Sequence, residues 1–489
     1  MKNQTRRNFL KTSLFAGATI AWTAKSWAQV PGANSSIRVA TVGFRSRGRD
    51  HIGGMVKLAP EGVKYVALCD VDEKVLQGGK DAFAKMKEPQ SVDTYADMRK
   101  MYERKDIDVV TIATPNHWHA LAAIWAIQAG KDVYVEKPVS HNVWEGRKIV
   151  EAARKYNRIV QTGTQSRSSH AIKEAVEWVQ AGNLGKMKIA RGLCYKPRAS
   201  IGKTEGAQKV PDNINYDIWC GPAPLDPPRR NHEKNGSIHY EWHWFWEYGN
   251  GDLGNQGIHQ MDIARWFTGE DRLSPKVFSV GGRLGYVDDA ETPNTQIVYH
   301  DYEKVPLIFE VRGLPEKTGS KNMDKYKGGS VAVIIECEGG YVLVPNYTSA
   351  TAFDNNGMKI KEWKGTTDHY DNFIQSVKSR KASDLHADIW EGHLSSALCH
   401  TGNISYRLGQ KTSPDELKEA IKGSPDAVPT FERMAEHLAA NGVDINKDKL
   451  TIGPVLTMDP KTEKFVGNAA ADKLLTREYR APYVVPERV

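Results

Sequence analysis

The chain has 489 residues, 40% hydrophobic and 26% charged, with 13 Trp, 19 Tyr and 12 Phe. That length and apolar content exclude a disordered or collagen-like chain and require two or more domains around a sizeable core. Five cysteines with no CxxC pair exclude a disulfide scaffold and a cysteine-held zinc site, while a formal charge of +8 leaves an acidic partner open.

The chain opens with Arg6-Arg7, then Asn8 to Lys11, an uncharged segment from Thr12 to Ala24, and the small-x-small pattern Ser26-Trp27-Ala28. This pattern predicts a twin-arginine export signal over 1–28 and a periplasmic or otherwise exported protein, with an ordinary amphipathic first helix as the alternative. The apolar stretch is too short to anchor in a bilayer, and no later segment reaches 18 apolar residues, so no stable membrane insertion is expected once the signal is removed. Export in the folded state implies that any cofactor is loaded beforehand and held tightly. The segment carries Lys2, Arg6, Arg7, Lys11 and Lys25 and no acid; without it, 62 Lys+Arg face 59 Asp+Glu, a surplus of +3. The basic balance is therefore mostly the leader, and a nucleic-acid partner is not expected.

From residue 36 short apolar runs alternate with helical stretches. IRVATVGF, VKYVALCDVD, IDVVTIATP, KDVYVEKP and RIVQTG read as strands, with helices expected over about 49–58, 73–87, 119–129 and 142–156. This alternation predicts βαβ units on a parallel sheet over 36–162. The first strand runs into Gly43-Phe44-Arg45-Ser46-Arg47-Gly48, a dinucleotide turn with Arg45 where a middle glycine is usual. Asp70, ending the second strand, is placed to accept ribose hydroxyls. A carboxylate there favours NAD over NADP, whereas Arg45 and Arg47 keep NADP open. TPNHWH (114–119) and EKP (136–138) fall at the carboxyl ends of strands, where open α/β sheets bind ligands. A lysine there, Lys137, can orient a substrate hydroxyl and stabilise its developing alkoxide.

Together with QTGTQSR, WCGPAP and GDLGNQGIHQMDIARW, these motifs resemble the Gfo/Idh/MocA family of sugar and polyol oxidoreductases, over about residues 36–410. The resemblance implies an α/β chain: an N-terminal Rossmann domain over 36–162, then, over 163–410, a domain with a large, mostly antiparallel open sheet that often forms the oligomer interface. A dimer or tetramer is therefore expected. The cofactor-binding residues it implies are Gly43, Arg45, Arg47, Gly48, Asp70, Pro115, Asn116, His119, Glu136 and Gln165. Lys137 looks like the family lysine of EKP, and His259 like the histidine of the GxHxxD helix with Asp262 as its closing acid. Four residues before that histidine many members have an aspartate; here Asn255 stands there, and an amide cannot carry charge or relay a proton. Asn255, His259 and Asp262 share one helical face, expected to point into a cleft.

Tyr195, Lys196 and Arg198 are candidate substrate contacts at the start of a long Pro- and Gly-rich loop reaching Asn235. In HYEWHWFWEY (239–248), Trp242, Trp244 and Trp246 alternate; an extended backbone would put them on one face, either to stack on a sugar or to pack the core. The histidine pairs here and at 117 and 119 lack a third ligand for a metal site. Strands dominate from 276, helices are expected at about 368–380 and 389–407, and the tail 411–489 adds two helical segments and an extended Pro-containing strap. Three functions follow: an exported, NAD(P)-dependent oxidoreductase of sugar hydroxyls with a tightly held cofactor; an NAD-dependent glycosidase passing through a transient keto sugar; or a non-catalytic carbohydrate-binding protein on the same fold.

Overall fold

A computed structural model describes residues 36–86, 90–230 and 237–489; the export segment expected over 1–28 lies outside the described residues. Six parallel strands form the first sheet: β1 (Ile37–Val42), β2 (Val63–Cys69), β3 (Asp93–Tyr95), β4 (Val109–Ile112), β5 (Asp132–Val135) and β6 (Val160–Thr162). Their spatial order, β3-β2-β1-β4-β5-β6, reverses direction between β1 and β4. That switch point opens a crevice at the carboxyl ends of the strands. Helices α1 (Arg47–Lys57), α2 (Glu73–Ala84), α3 (Asn116–Gln128) and α4 (Val143–Lys155) make the crossovers. β2 stops at Cys69 instead of running on to Asp72, because the Asp72 carboxylate caps α2, accepting the amides of Lys74 and Val75. α3 begins at Asn116, three residues earlier than the apolar periodicity predicts, directly behind Pro115.

The second sheet has twelve strands on a main path of ten. They are β7 (Met187–Tyr195), β8 (Lys276–Gly282), β9 (Thr295–His300), β10 (Leu307–Arg312), β11 (Val331–Cys337), β12 (Gly340–Val344), β13 (Ser349–Asp354), β14 (Lys359–Lys364), β15 (Gln410–Thr412) and β16 (Leu450–Ile452), ordered β14-β13-β12-β11-β7-β10-β9-β8-β16-β15. Only the β7–β10 pair is parallel along this path, so the sheet is mixed and mostly antiparallel. β14 (KIKEWK) is almost wholly exposed at the sheet edge; its charged residues carry no apolar run that sequence reading could detect.

One face of this sheet buries α5 (Ile258–Thr268) and α6 (Ile389–Arg407); α6 also packs against α4, so it joins the two halves. On the other face Leu417 of α7 (Pro414–Ile421) and Phe431, Met434 and Leu438 of α8 (Ala427–Ala440) join Ile297, Tyr299 and Ile308 in one core.

The aromatic stretch 239–248 is not extended. It forms short helical turns over Ser237–Tyr240 and Glu241–Trp244, because the Trp242 indole donates to the His239 carbonyl (3.0 Å) and His243 Nδ1 to that of Tyr240 (2.5 Å). Local bonds of this kind compete with strand pairing and remove the alternation.

The chain past residue 474 straps back over the first domain. Tyr483 packs edge-on against Trp118 and its hydroxyl donates to Asp217 (2.8 Å), while Arg480 donates to the carbonyls of Gly221 (3.0 Å) and Ala223 (3.2 Å). Tyr479 donates to Glu145 (3.0 Å), a side chain 1% exposed whose pKa burial pushes up to about 7. The folded state then binds the extra proton between the ordinary value near 4.5 and 7, so stability falls as pH rises through that window, by up to about 3 kcal/mol. Glu145→Gln should flatten this slope, read as the difference in urea midpoint between pH 5 and pH 7.5; an unchanged slope would mean that other groups carry it.

Candidate active site

The crevice over the first sheet is lined on one side by Gly43, Arg45 and Asp70, at its floor by Thr114 and Asn116, and on the other by Lys137, Asn255 and Trp242. Its first turn suits a dinucleotide for steric reasons. Gly43 has φ +74°, and a Cβ there would lie 2.9 Å from the Thr114 amide; a Cβ on Gly48 would lie 2.0 Å from the Gly43 carbonyl. Only glycine closes this turn, which sits at the carboxyl end of β1, where a Rossmann fold receives a pyrophosphate. Arg45, at the third position, is exposed. The Asp70 carboxylate accepts the amides of Phe44 (3.0 Å) and Asp72 (3.1 Å), tying the turn to the end of β2, and burial pushes its pKa up to about 6. These residues fit NAD.

Three of the other expected cofactor residues, Arg47, Glu136 and Gln165, hold one another. Glu136 is 3% exposed and accepts from Arg47 Nε (2.8 Å), His51 (3.1 Å) and Gln165 (3.3 Å). The guanidinium and imidazole beside it keep its carboxyl well below the usual range, against burial. Arg47 is thus an internal counter-ion of Glu136, leaving Arg45 as the open arginine of the turn. His119 faces two carbonyls, Pro138 (2.6 Å) and Thr114 (2.7 Å), so it locks the 114–119 turn to the EKP segment. Asn116 donates to Asn250 (3.3 Å), and Pro115 lies at the crevice wall.

Lys137 follows β5, and its Nζ donates to the Asn255 carbonyl at 2.5 Å. That carbonyl is available because Leu253–Gly257 forms a wide π-type turn before α5, which interrupts the regular helical bonding. Asn255 therefore contributes its backbone oxygen to Lys137. Burial, together with Arg47 and Lys196, lowers the Lys137 pKa despite Glu136. His259, on α5, is 6% exposed, and burial with the Lys137 charge holds it well below its ordinary value, hence neutral. Its Nδ1 is buried without a hydrogen-bond partner among the described residues. The Tyr347 ring lies 4.9 Å from the His259 ring; Gln256 donates to the Tyr347 hydroxyl (2.8 Å) and accepts from Lys196 (3.1 Å). Tyr347 and Gln256 were not among the expected residues. Tyr347 comes from the β12–β13 connection, about 90 residues downstream of α5, with no motif around it to mark it.

The remaining expected substrate contacts are placed elsewhere. Asp262 does not point into the cleft: Arg167 grips both its oxygens (2.8 and 2.9 Å), and both side chains are buried. The Tyr195 hydroxyl donates to Glu310 (2.7 Å) within the large sheet. The Arg198 guanidinium is bidentate on Asp252 and lies over Trp244. Trp246 lines a separate cavity with Arg407 and Arg477. For Asp262, Tyr195 and Arg198 a buried charge or hydroxyl has taken an internal partner, which spacing along the chain does not reveal.

Beyond the crevice, and sharing Trp219 and Trp242 with it, lies a second pocket walled by Tyr216, Phe245 and Tyr248. Trp219 belongs to the WCGPAP loop, which the tail strap braces from behind through Arg480.

Comparison with known proteins matches residues 37–164 to an oxidoreductase family described as an NAD-binding Rossmann fold, and residues 169–437 to the same family's C-terminal alpha/beta domain. A glycosyl hydrolase family 109 protein of Shewanella baltica (strain OS185) is 34% identical over 174 residues, 31% of this chain and 38% of that protein. Inositol 2-dehydrogenase of Salmonella paratyphi B is 27% identical over 184 residues, 37% of this chain and 53% of the enzyme. The chain therefore matches about two fifths to one half of the length of these relatives. The WlbA dehydrogenase from Bordetella pertussis, solved with NADH and UDP-GlcNAcA, shares the fold: TM-score 0.55 at 18% identity, covering 74% of this chain and 94% of that one.

Proposed function

Because the chain belongs to the Gfo/Idh/MocA oxidoreductase family and carries its NAD-binding Rossmann domain, we propose that it oxidises a hydroxyl of a sugar or sugar derivative, with its cofactor tightly bound and recycled in the site. The observation that carries this reading is the Lys137–Asn255 contact beside neutral His259, at the carboxyl end of β5 in the crevice. NAD, when bound, supplies the hydride acceptor. The chain's own residues handle the proton. Lys137, its pKa lowered by burial, gives up its proton more readily than a free lysine and can take up that of the substrate hydroxyl as the alkoxide forms. His259, neutral and with an unpartnered Nδ1, can orient the same hydroxyl. Lys196 adds a positive charge over the developing alkoxide. The aromatic pocket past Trp242 would hold an apolar sugar face.

Similarity to a glycosyl hydrolase family 109 protein favours a second reading, redox-neutral cleavage of a glycosidic bond. Oxidation of one carbon acidifies the neighbouring C–H, the leaving group departs by elimination, and water adds before the carbon is reduced again. No external oxidant is needed, which suits a protein exported by the Arg6-Arg7 leader. The proposal includes that export and a homo-oligomer. The test is to purify the exported protein, ask by absorbance and mass spectrometry whether NAD(H) accompanies it, and incubate it with free sugars and aryl glycosides. A stoichiometric rise at 340 nm without aglycone release supports the oxidoreductase, aglycone release supports the glycosidase, and a protein that cannot be loaded with nicotinamide overturns both.

A further inference from the structure

A second cavity, outside the crevice, lies between the first domain, α6 and the tail. It is lined by His141, Trp246, His400, Asn403, Arg407 and Arg477, with Asn250 at its floor. Among the described residues, several buried polar atoms without a hydrogen-bond partner belong to this one group of side chains: His141 Nε2, His400 Nδ1, Asn403 Oδ1 and Arg477 Nε. His400 and Asn403 are only 3% and 4% exposed. Buried polar groups are nearly always paired, so such a concentration marks a place where a bound group completes the bonding.

The tautomer of His141 is set by its neighbour. Its Nδ1 faces an Arg477 nitrogen, which can only donate (3.5 Å), so Nδ1 accepts and Nε2 carries the proton. His141 Nε2 and Arg477 Nε are therefore both donors in want of an acceptor. Arg407 adds further donors: its guanidinium makes no hydrogen bond within the described chain and rests only over the Trp246 ring, 5.2 Å from its centroid. The charge balance points the same way. Lys473, Arg407 and Arg477 line the cavity, with Glu247 and Glu478 as its acids; Glu247 is already held by Arg229 (3.2 Å), and Glu478 is exposed. Two arginines, a lysine and a donating imidazole set beside an indole form a receptor for an oxyanion carried on a ring or short chain.

We infer that this cavity binds a small organic oxyanion, a carboxylate or a phosphate ester, gripped by Arg407, Arg477 and His141 beside the Trp246 ring. Neither the crevice nor the sugar reading above is needed for it. Two of its walls come from the tail, so the bound anion pins the 473–478 segment to α6. The floor connects to the cofactor crevice: Asn250 donates to the His141 carbonyl (3.0 Å) and accepts from Asn116 (3.3 Å).

The test uses the purified full chain with its cofactor. Calorimetry and thermal melting are run against inorganic phosphate, glucuronate and neutral glucose, at ionic strength held constant with sodium chloride. The expected result is saturable binding and a raised melting temperature with at least one of phosphate and glucuronate, and neither with glucose. Tighter binding of glucuronate identifies a carboxylate ligand, and tighter binding of phosphate a phosphate ester. Arg407→Gln, a substitution at an exposed side chain with no internal bond to lose, should weaken Kd at least about tenfold, the loss of one charge-assisted bond. Arg477→Gln should do the same and abolish the ligand's protection of the tail against trypsin. A melting shift no larger than that given by added chloride, or an unchanged Kd in Arg407→Gln, overturns the assignment, as does a high-resolution structure soaked in both anions that holds only water there.

Discussion

Lys137→Ala should lower turnover by about 10²–10⁴-fold, the range that a positioned acid–base group supplies, while the cofactor remains bound. The side chain reaches across from the end of β5 to the Asn255 carbonyl and takes no part in the glycine turn or the Asp70 end of the crevice, so nicotinamide retention should survive. Lys137→Arg is the sharper variant. A guanidinium keeps its charge at every working pH and cannot accept the hydroxyl proton, so it should not restore activity. Since burial lowers the lysine pKa, wild-type activity should decline as pH falls and Lys137 gains its proton; residual activity in Lys137→Ala should lack that limb. Rates within threefold of wild type, measured with cofactor bound, would remove Lys137 from the mechanism.

Arg167→Ala should cost about 3–5 kcal/mol of stability, the usual penalty for leaving a buried charge alone. Asp262 is 1% exposed at its side chain, and Arg167 is its bidentate partner; Arg167 also reaches Glu391 (3.0 Å) and lies over Trp266. The pair fixes α5, and with it His259, to the end of the first domain. Arg265 stands 3.7 Å from Asp262 and is the other cation, among the described residues, that reaches it. A shift in denaturant midpoint worth less than about 1 kcal/mol would mean that Arg265 has taken over the charge. Arg167→Lys keeps the charge but loses the fork, and should fall between the two.

The Rossmann half was legible because its signals are local. Strand and helix periods alternate, and the turn from Gly43 to Gly48 and the Asp70 carboxylate lie where the βαβ pattern puts them. Lys137 could be placed for the same reason, at the end of a strand. What sequence alone could not supply was the partner of each polar side chain. Asp262, Tyr195 and Arg198 looked available, and each is committed to a residue 54 to 115 positions away. Tyr347 reaches His259 from a sheet connection that no motif marks, and Gln256, inside the GDLGNQGIHQMDIARW stretch, ties it to Lys196. The aromatic stretch misled for a different reason: side-chain bonds to nearby carbonyls curl it into helical turns, which period-two alternation cannot anticipate.

The tail strap has a consequence for biogenesis. The segment holding Trp219, part of the crevice wall, is braced by Arg480 and Tyr483, which are made about 260 residues later in the chain. That wall is therefore stable only once the strap has been made, and cofactor capture follows well after the early folding of the glycine turn. A nascent chain halted at residue 470 should hold the Rossmann sheet and yet release its dinucleotide readily.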